Sequence, residues 1–136
     1  MLRLMIIEDS IIFRELVRDS LLSQFPSMEI VEVGSGEEAL ERLRTYPPDL
    51  LFMDIHLPGK NGLEVTKMVR ADRQDMTIII LTSYDLPEYR EAAITYGANG
   101  FIGKDLMQSE KVSTLVKCHQ GAKTDLRKPV CLQLCR

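Results

Sequence analysis

The chain has 136 residues, 45% hydrophobic and 27% charged, with 17 Lys+Arg against 20 Asp+Glu and a formal net charge of -3. Length and apolar content suit one domain with a sizeable core, and they argue against a two-domain enzyme or a disordered polar chain. The acidic balance argues against nucleic-acid binding through bulk positive charge, and no run approaches the roughly 20 apolar residues that cross a bilayer.

From the N-terminus, Leu4–Ile7 is the first short apolar run, ended by Glu8 and Asp9 and far shorter than a signal-peptide core. Phe13, Leu16, Val17, Ser20 and Leu21 follow at intervals of three and four, which predicts a helix with one apolar face. Ile30–Val33, broken by Glu32, is the second strand candidate, and Ser35 with Glu38 forms a capping-box pair that opens a helix from about Gly36 to Arg44. Leu50–Met53 is the third run, with Val65, Met68 and Val69 marking the helix after it. Ile78–Leu81 is the fourth, before a helix that opens near Asp85 and Pro87 and shows Tyr89, Ala92, Ala93 and Tyr96. Phe101–Ile102 is the fifth, before a last helix with Val112, Leu115, Val116 and His119. Beyond Gly121, residues 122–136 read as a linker or C-terminal extension. The odd set Cys118, Cys131 and Cys135, with no secretory signal, predicts reduced thiols and a cytoplasmic location; Cys131 and Cys135 lack the further ligands of a zinc site.

Short Ile-, Leu- and Val-rich runs alternating five times with helical segments predict an α/β fold. It is a (βα)5 doubly wound, flavodoxin-like, five-stranded parallel sheet with helices on both faces. Ligands of such sheets bind beyond the carboxyl ends of the strands. The residues there are Glu8 and Asp9, Asp54, Thr82 with Ser83, and Lys104. Each alone has an ordinary use: an aspartate or threonine after a strand caps a turn, and a lone lysine is solvated. The set together says more. Crowded carboxylates repel unless a cation joins them, and Mg²⁺ takes such oxygen ligands together with water and phosphate. A lysine and a hydroxyl beside them suit the remaining oxygens of a phosphoryl group.

Rival motifs are missing. Glu-Asp-Ser-Ile-Ile-Phe after the first strand has no glycine, and Gly34-Ser-Gly36 is too short for a P-loop or a dinucleotide fingerprint. His56 and His119 complete no hydrolase set.

From Met1 to about Gly121 the chain resembles the receiver domain of bacterial two-component response regulators. The likeness rests on Ile7-Glu8-Asp9, on Met53-Asp54-Ile-His-Leu-Pro-Gly-Lys-Asn-Gly62-Leu-Glu, on Leu81-Thr82-Ser83 and on Gly97-Ala-Asn-Gly-Phe101-Ile-Gly-Lys104. It implies that Asp54 is the phosphoacceptor, phosphorylated by a histidine kinase or phosphotransfer protein. It further implies that Asp9, Asp54 and the backbone carbonyl of His56 hold Mg²⁺, with Glu8 acting through water. Thr82 would contact the phosphoryl group and Lys104 would pair with one of its oxygens. Phe101 stands at the family's rotating aromatic switch and, as phenylalanine, offers no hydroxyl. Thr82 moving toward the phosphoryl group would vacate space for it. The roles make physical sense: phosphoryl transfer relies on positioning and cationic stabilisation, and a carboxylate nucleophile needs no added base at neutral pH.

In the family the side chains two beyond the phosphoacceptor and the threonine tune hydrolysis. His56 and Tyr84 there predict a long-lived phosphorylated state. The face switched in the family comprises the fourth helix, fifth strand and fifth helix, about Pro87–Gly121 here, and is the expected surface for a homodimer or partner. One departure stands out: most receivers follow the lysine with proline, whereas this chain has Lys104-Asp105. That form resembles regulators carrying a helix-turn-helix output domain. The chain is then either a stand-alone receiver or the receiver portion of a longer transcription regulator; Lys104-Asp105 and the basic, linker-like Lys123–Lys128 favour the second, with DNA met only through an output domain that is not in this sequence. It would be a switch that processes only its own phosphoryl group, with no membrane partner. Two other classes stay open, a phosphorylation-independent interaction domain and a flavodoxin-like cofactor binder; the acidic strand ends disfavour the latter.

Overall fold

Runs of apolar residues too short for a helix assemble into a parallel sheet with the most apolar of them at its centre. The strands are β1 (Arg3–Ile7), β2 (Glu29–Val33), β3 (Leu50–Asp54), β4 (Thr77–Thr82) and β5 (Gly100–Gly103), all parallel in the order β2-β1-β3-β4-β5. Helices α1 (Ile11–Gln24), α2 (Gly36–Arg42), α3 (Gly62–Asp72) and α4 (Pro87–Thr95) connect them, and residues 112–117 are helical and form α5. This computed structural model describes residues 2–83, 86–106 and 112–117. Tyr84, Asp85, His119, the three cysteines and the extension over 122–136 lie outside the described residues.

Strand alternation divides the core in two. Leu4, Ile6, Leu50, Phe52, Ile79, Leu81 and Ile102 pack with Val17 and Leu21 of α1 and with Val112, Leu115 and Val116 of α5. Met5, Ile7, Leu51, Met53, Ile78, Ile80 and Phe101 pack with Ala39 of α2, Val65 and Val69 of α3 and Ala93 of α4. The expected doubly wound architecture therefore forms, with α1 and α5 on one face and α2, α3 and α4 on the other.

Three details differ from the sequence reading. The run Ile30–Val33 is not buried on both faces, because β2 is an edge strand; Ile30 to Glu32 are half-buried, and Glu32 meets Arg14 and Arg18 of α1. Helix α2 stops at Arg42 rather than Arg44, and the chain turns there through the Arg44 N–H to Glu41 and the Tyr46 N–H to Arg42. Leu16 and Met68, assigned to apolar faces, are exposed; Val17 and Leu21 in α1 and Val65 and Val69 in α3 carry the burial.

The order β2-β1-β3 means that the chain leaves β1 toward one side and returns past it to β3 on the other. The carboxyl ends of β1 and β3 therefore flank the topological switch point, where connections diverge and leave a crevice. Register keeps the strand ends level: Ile7 pairs with Met53, Asp54 with Leu81 and Thr82 with Gly103.

Candidate functional site

The side-chain parity of the strands sorts the site residues into two groups. Glu8 follows Ile6 by two positions, Asp54 follows Phe52 and Lys104 follows Ile102, so all three continue the rows that face α1 and α5. Thr82 follows Ile80 and shares with Phe101 the opposite face, toward α4. Acidic site and candidate switch thus sit back to back across the sheet end.

On the α1 side, the Lys104 ammonium pairs with Glu8 and lies 3.3 Å from Asp54 Oδ2. Glu8 is completely buried. Its N–H donates to the Val33 carbonyl at 3.0 Å, and its Oε2 accepts the Ser10 N–H at 3.1 Å. Ser10 also caps α1, accepting the Phe13 N–H at 3.2 Å, so helix start and acidic turn are one piece. Asp54 is buried, whereas Asp9 is exposed at the rim.

Charge in the cluster is poorly balanced by the protein alone. A hydrogen bond with Glu8, then partial burial, then the Glu8 charge hold the Asp9 carboxyl above the usual aspartate range. Burial pulls Lys104 down, but Glu8 and Asp54 outweigh it and hold the ammonium above the usual lysine range. Glu8, Asp9 and Asp54 each offer a carboxylate oxygen, and these atoms lie within 4.8 Å of one another. An all-oxygen, net-negative donor set beside one lysine fits a hard divalent cation.

The loop after β3 is held by its own devices. Gly59 takes a left-handed φ of 72°, the Lys60 N–H donates to Glu37 of α2 at 3.2 Å, and Asn61 caps α3 by accepting the Leu63 and Glu64 N–H groups. The His56 ring is exposed and meets the Tyr89 ring of α4 edge-on, with centroids 5.6 Å apart. On the α4 side, Thr82 and Phe101 are buried, and the Arg90 guanidinium lies 4.7 Å over the Phe101 ring centroid. A cavity of about 160 Å³ borders this pair, lined also by Ala93, Ile94, Asn99 and Gly100.

The structure thus brings Glu8, Asp9, Asp54 and Lys104 together, places Thr82 at the same sheet end and leaves Tyr84 outside the described residues. Sequence reading missed three neighbours. Phe13 counted only as an apolar-face residue, but its ring lies against Lys104. Arg14 donates to the Glu8 carbonyl at 2.8 Å and faces Glu32 at 3.6 Å; its place one turn after the Ser10 cap was the available signal. Arg90 carried none.

Comparison with known proteins agrees with this geometry. The family model described as "Response regulator receiver domain" matches residues 4–117, so the chain belongs to the response regulator receiver family of two-component signalling. It is 31% identical over 121 residues to the transcriptional regulatory protein DegU of Brevibacillus brevis, covering 88% of this chain and 51% of that protein. It is 33% identical over 102 residues to the chemotaxis protein CheY of Halobacterium salinarum, covering 75% and 83%. Among solved structures, a LuxR-family DNA-binding response regulator from Staphylococcus aureus superposes with a TM-score of 0.77 at 28% identity, covering 86% of this chain and 98% of that one. The response regulator TrrA from Thermotoga maritima, in complex with Mg²⁺ and beryllium fluoride, gives 0.75 at 32% identity with the same coverage. The chain spans about half the length of the transcriptional regulators it matches. No helix among the described residues is long and apolar enough to cross a membrane.

Proposed function

We propose that this chain is a phosphorylation-switched receiver in which Asp54 takes a phosphoryl group from a histidine kinase or phosphotransfer protein and so controls a transcriptional output. The observation that carries the reading is the meeting of a buried Asp54, the Lys104 ammonium 3.3 Å away and carboxylate oxygens of Glu8 and Asp9 within 4.8 Å. A carboxylate oxygen of Asp54 attacks phosphorus, the donor P–N bond breaks, and the electron pair leaves with the imidazole. Lys104 meets the oxygens on which charge gathers, and Thr82 supplies a hydroxyl from the next strand. Bound through Glu8, Asp9, Asp54 and the His56 carbonyl, Mg²⁺ would supply further positive charge at the transferring group.

The modified aspartate adds roughly -1.5 to -2 charges and three acceptor oxygens, enough to draw Thr82 and free space for Phe101. The face formed by α4, β5 and α5 would then change its preference for a partner or a second copy. In this reading residues 1–121 are the receiver and 122–136 a linker or extension, acting in the cytoplasm, and DNA is met only through an output domain. The chain would process only its own phosphoryl group. The likeness to DegU and to the LuxR-family regulator supports the transcriptional assignment, and the TrrA complex with Mg²⁺ and beryllium fluoride supports the metal.

Intact mass after incubation with Mg²⁺ and acetyl phosphate tests the reading, with Asp54→Asn as control. One added phosphoryl group, dependent on Mg²⁺ and absent in the variant, is expected. No gain from acetyl phosphate or from a panel of histidine kinases would replace the reading with a phosphorylation-independent interaction domain.

A further inference from the structure

Lys104 is held on three sides, and only two of them are anionic. Its ammonium carries three N–H donors. Glu8 and Asp54 account for two directions, and on a third the Phe13 ring stands with its centroid 4.7 Å from Nζ. That distance is within cation–π range, and the pairing strengthens when water is excluded. Water is largely excluded here: the Lys104 side chain is 17% exposed and Glu8 completely buried. Phe13 cannot readily drift away, because its N–H is tied to the Ser10 side chain in the first turn of α1 and its ring packs against the core on that face. A carboxylate in its place would compete strongly with a phosphoryl oxygen for Lys104, whereas an aromatic face holds the charge and competes only weakly.

We propose that Phe13 is a positioning residue for the phosphorylation site: its ring fixes the Lys104 ammonium toward Asp54, where the phosphoryl oxygens must lie. The assignment rests on the reading of Asp54 as phosphoacceptor and adds a residue that touches neither donor nor metal. Position on α1 means that the helix after β1 serves the site twice, through the Ser10 cap on Glu8 and through the Phe13 ring on Lys104.

The test uses the full chain and the variants Phe13→Leu, Phe13→Tyr, Lys104→Met and Phe13→Leu with Lys104→Met. In the unmodified protein the Lys104 ε-methylene protons should resonate upfield through the ring current, keep that shift in Phe13→Tyr and lose it in Phe13→Leu. Phe13→Leu should slow phosphorylation by acetyl phosphate and weaken beryllium fluoride binding with Mg²⁺ by about three- to tenfold each, the span of a partly desolvated cation–π contact. Mg²⁺ affinity alone should stay unchanged, and Phe13→Tyr should restore both losses. With Lys104 already replaced by methionine, Phe13→Leu should cost nothing more. An equal loss in that background, or loss of Mg²⁺ affinity in step, would make Phe13 a mere packing residue and overturn the proposal. Should the unmodified protein take up neither phosphoryl nor beryllium fluoride, the phosphoacceptor reading itself fails, and the proposal with it. An absent ring-current shift would refute the Phe13 contact alone.

Discussion

Gly62, at the start of α3, presses so closely on Asp54 that a Cβ at this position would lie 1.9 Å from the Asp54 carbonyl oxygen and 2.8 Å from its carbonyl carbon. The Gly62 N–H also donates to the Ile55 carbonyl at 2.8 Å, so the helix start is bound directly to the strand end that carries the phosphoacceptor candidate. No side chain fits without moving one of them. Gly62→Ala should destabilise the fold by about 1–3 kcal/mol, as overpacking does, and should displace Asp54 from Lys104. Urea unfolding gives the first quantity. Phosphorylation by acetyl phosphate falling by more than the folded fraction gives the second.

The crowding of Glu8 and Asp9 fixes a pH dependence. Because the folded protein holds the Asp9 carboxyl above its usual value, chiefly through the hydrogen bond with Glu8, the folded state binds that proton more tightly than the unfolded chain. Its contribution to stability is present below the ordinary aspartate range and is lost as pH rises through the elevated value. Without metal, Asp9→Asn should therefore raise stability at neutral pH by about 0.5 kcal/mol, the size of a screened surface interaction, and flatten the acid limb of the profile. In the unmodified protein Mg²⁺ affinity should decline on acidification through that same range. Calorimetric titration at several pH values, with thermal melts of the variant, checks both.

Arg70 of α3 donates to the carbonyls of Gly97, Arg73 and Gln74 and to the Asn99 side chain, whose oxygen also accepts the Ile78 N–H. All four partners precede β4 or β5, at the sheet end away from the acidic cluster. Arg70→Met should cost about 2–3 kcal/mol of stability, the worth of charged hydrogen bonds lost at a partly buried site. Phosphorylation at a temperature where the variant is folded should be unaffected. A matching loss of phosphorylation would contradict the separation of the two ends.

The guanidinium of Arg90 over Phe101 favours the buried ring. Arg90→Ala should remove about 0.5–1 kcal/mol of that preference and shift Phe101 toward outward rotamers without any phosphoryl group. Side-chain χ1 populations from NMR couplings report this directly, and unchanged populations would assign Arg90 no part in the switch.

His56 stands two residues past Asp54 with its ring against Tyr89. If the phosphoryl group sits on Asp54, this exposed ring flanks the approach of water. His56→Ala should shorten the phosphorylated lifetime, because a smaller side chain opens the approach of in-line water to the phosphoryl group. Decay of the phosphorylated mass after removal of the donor measures it.

Much of this molecule was legible in local order along the chain. Leu4–Ile7, Leu50–Met53 and Ile78–Leu81 became the three central strands, because continuous apolar runs of that length are satisfied only when buried on both faces. The carboxylates and hydroxyl that end those runs, the lysine just after β5 and the glycine-poor turn after β1 pointed to phosphoryl chemistry with a metal rather than to nucleotide binding. Motif spacing carried the family, since receiver-like residues recur after β1, β3, β4 and β5.

Tertiary structure decided what depends on neighbours distant in sequence. Periodicity treats β2 as a strand like the others, but its half-burial follows from lying at the edge, a matter of strand order. The run of charges Glu8-Asp9 does not say that one is sealed inside and the other solvated; Lys104, 96 residues away, does. Nor can helical spacing distinguish a phenylalanine that only fills the core from one whose ring meets a lysine just after β5. Sequence determines which side chains are available and how they alternate. Folding decides which of them desolvate one another, and at these distances desolvation sets the strength of every charge in the site.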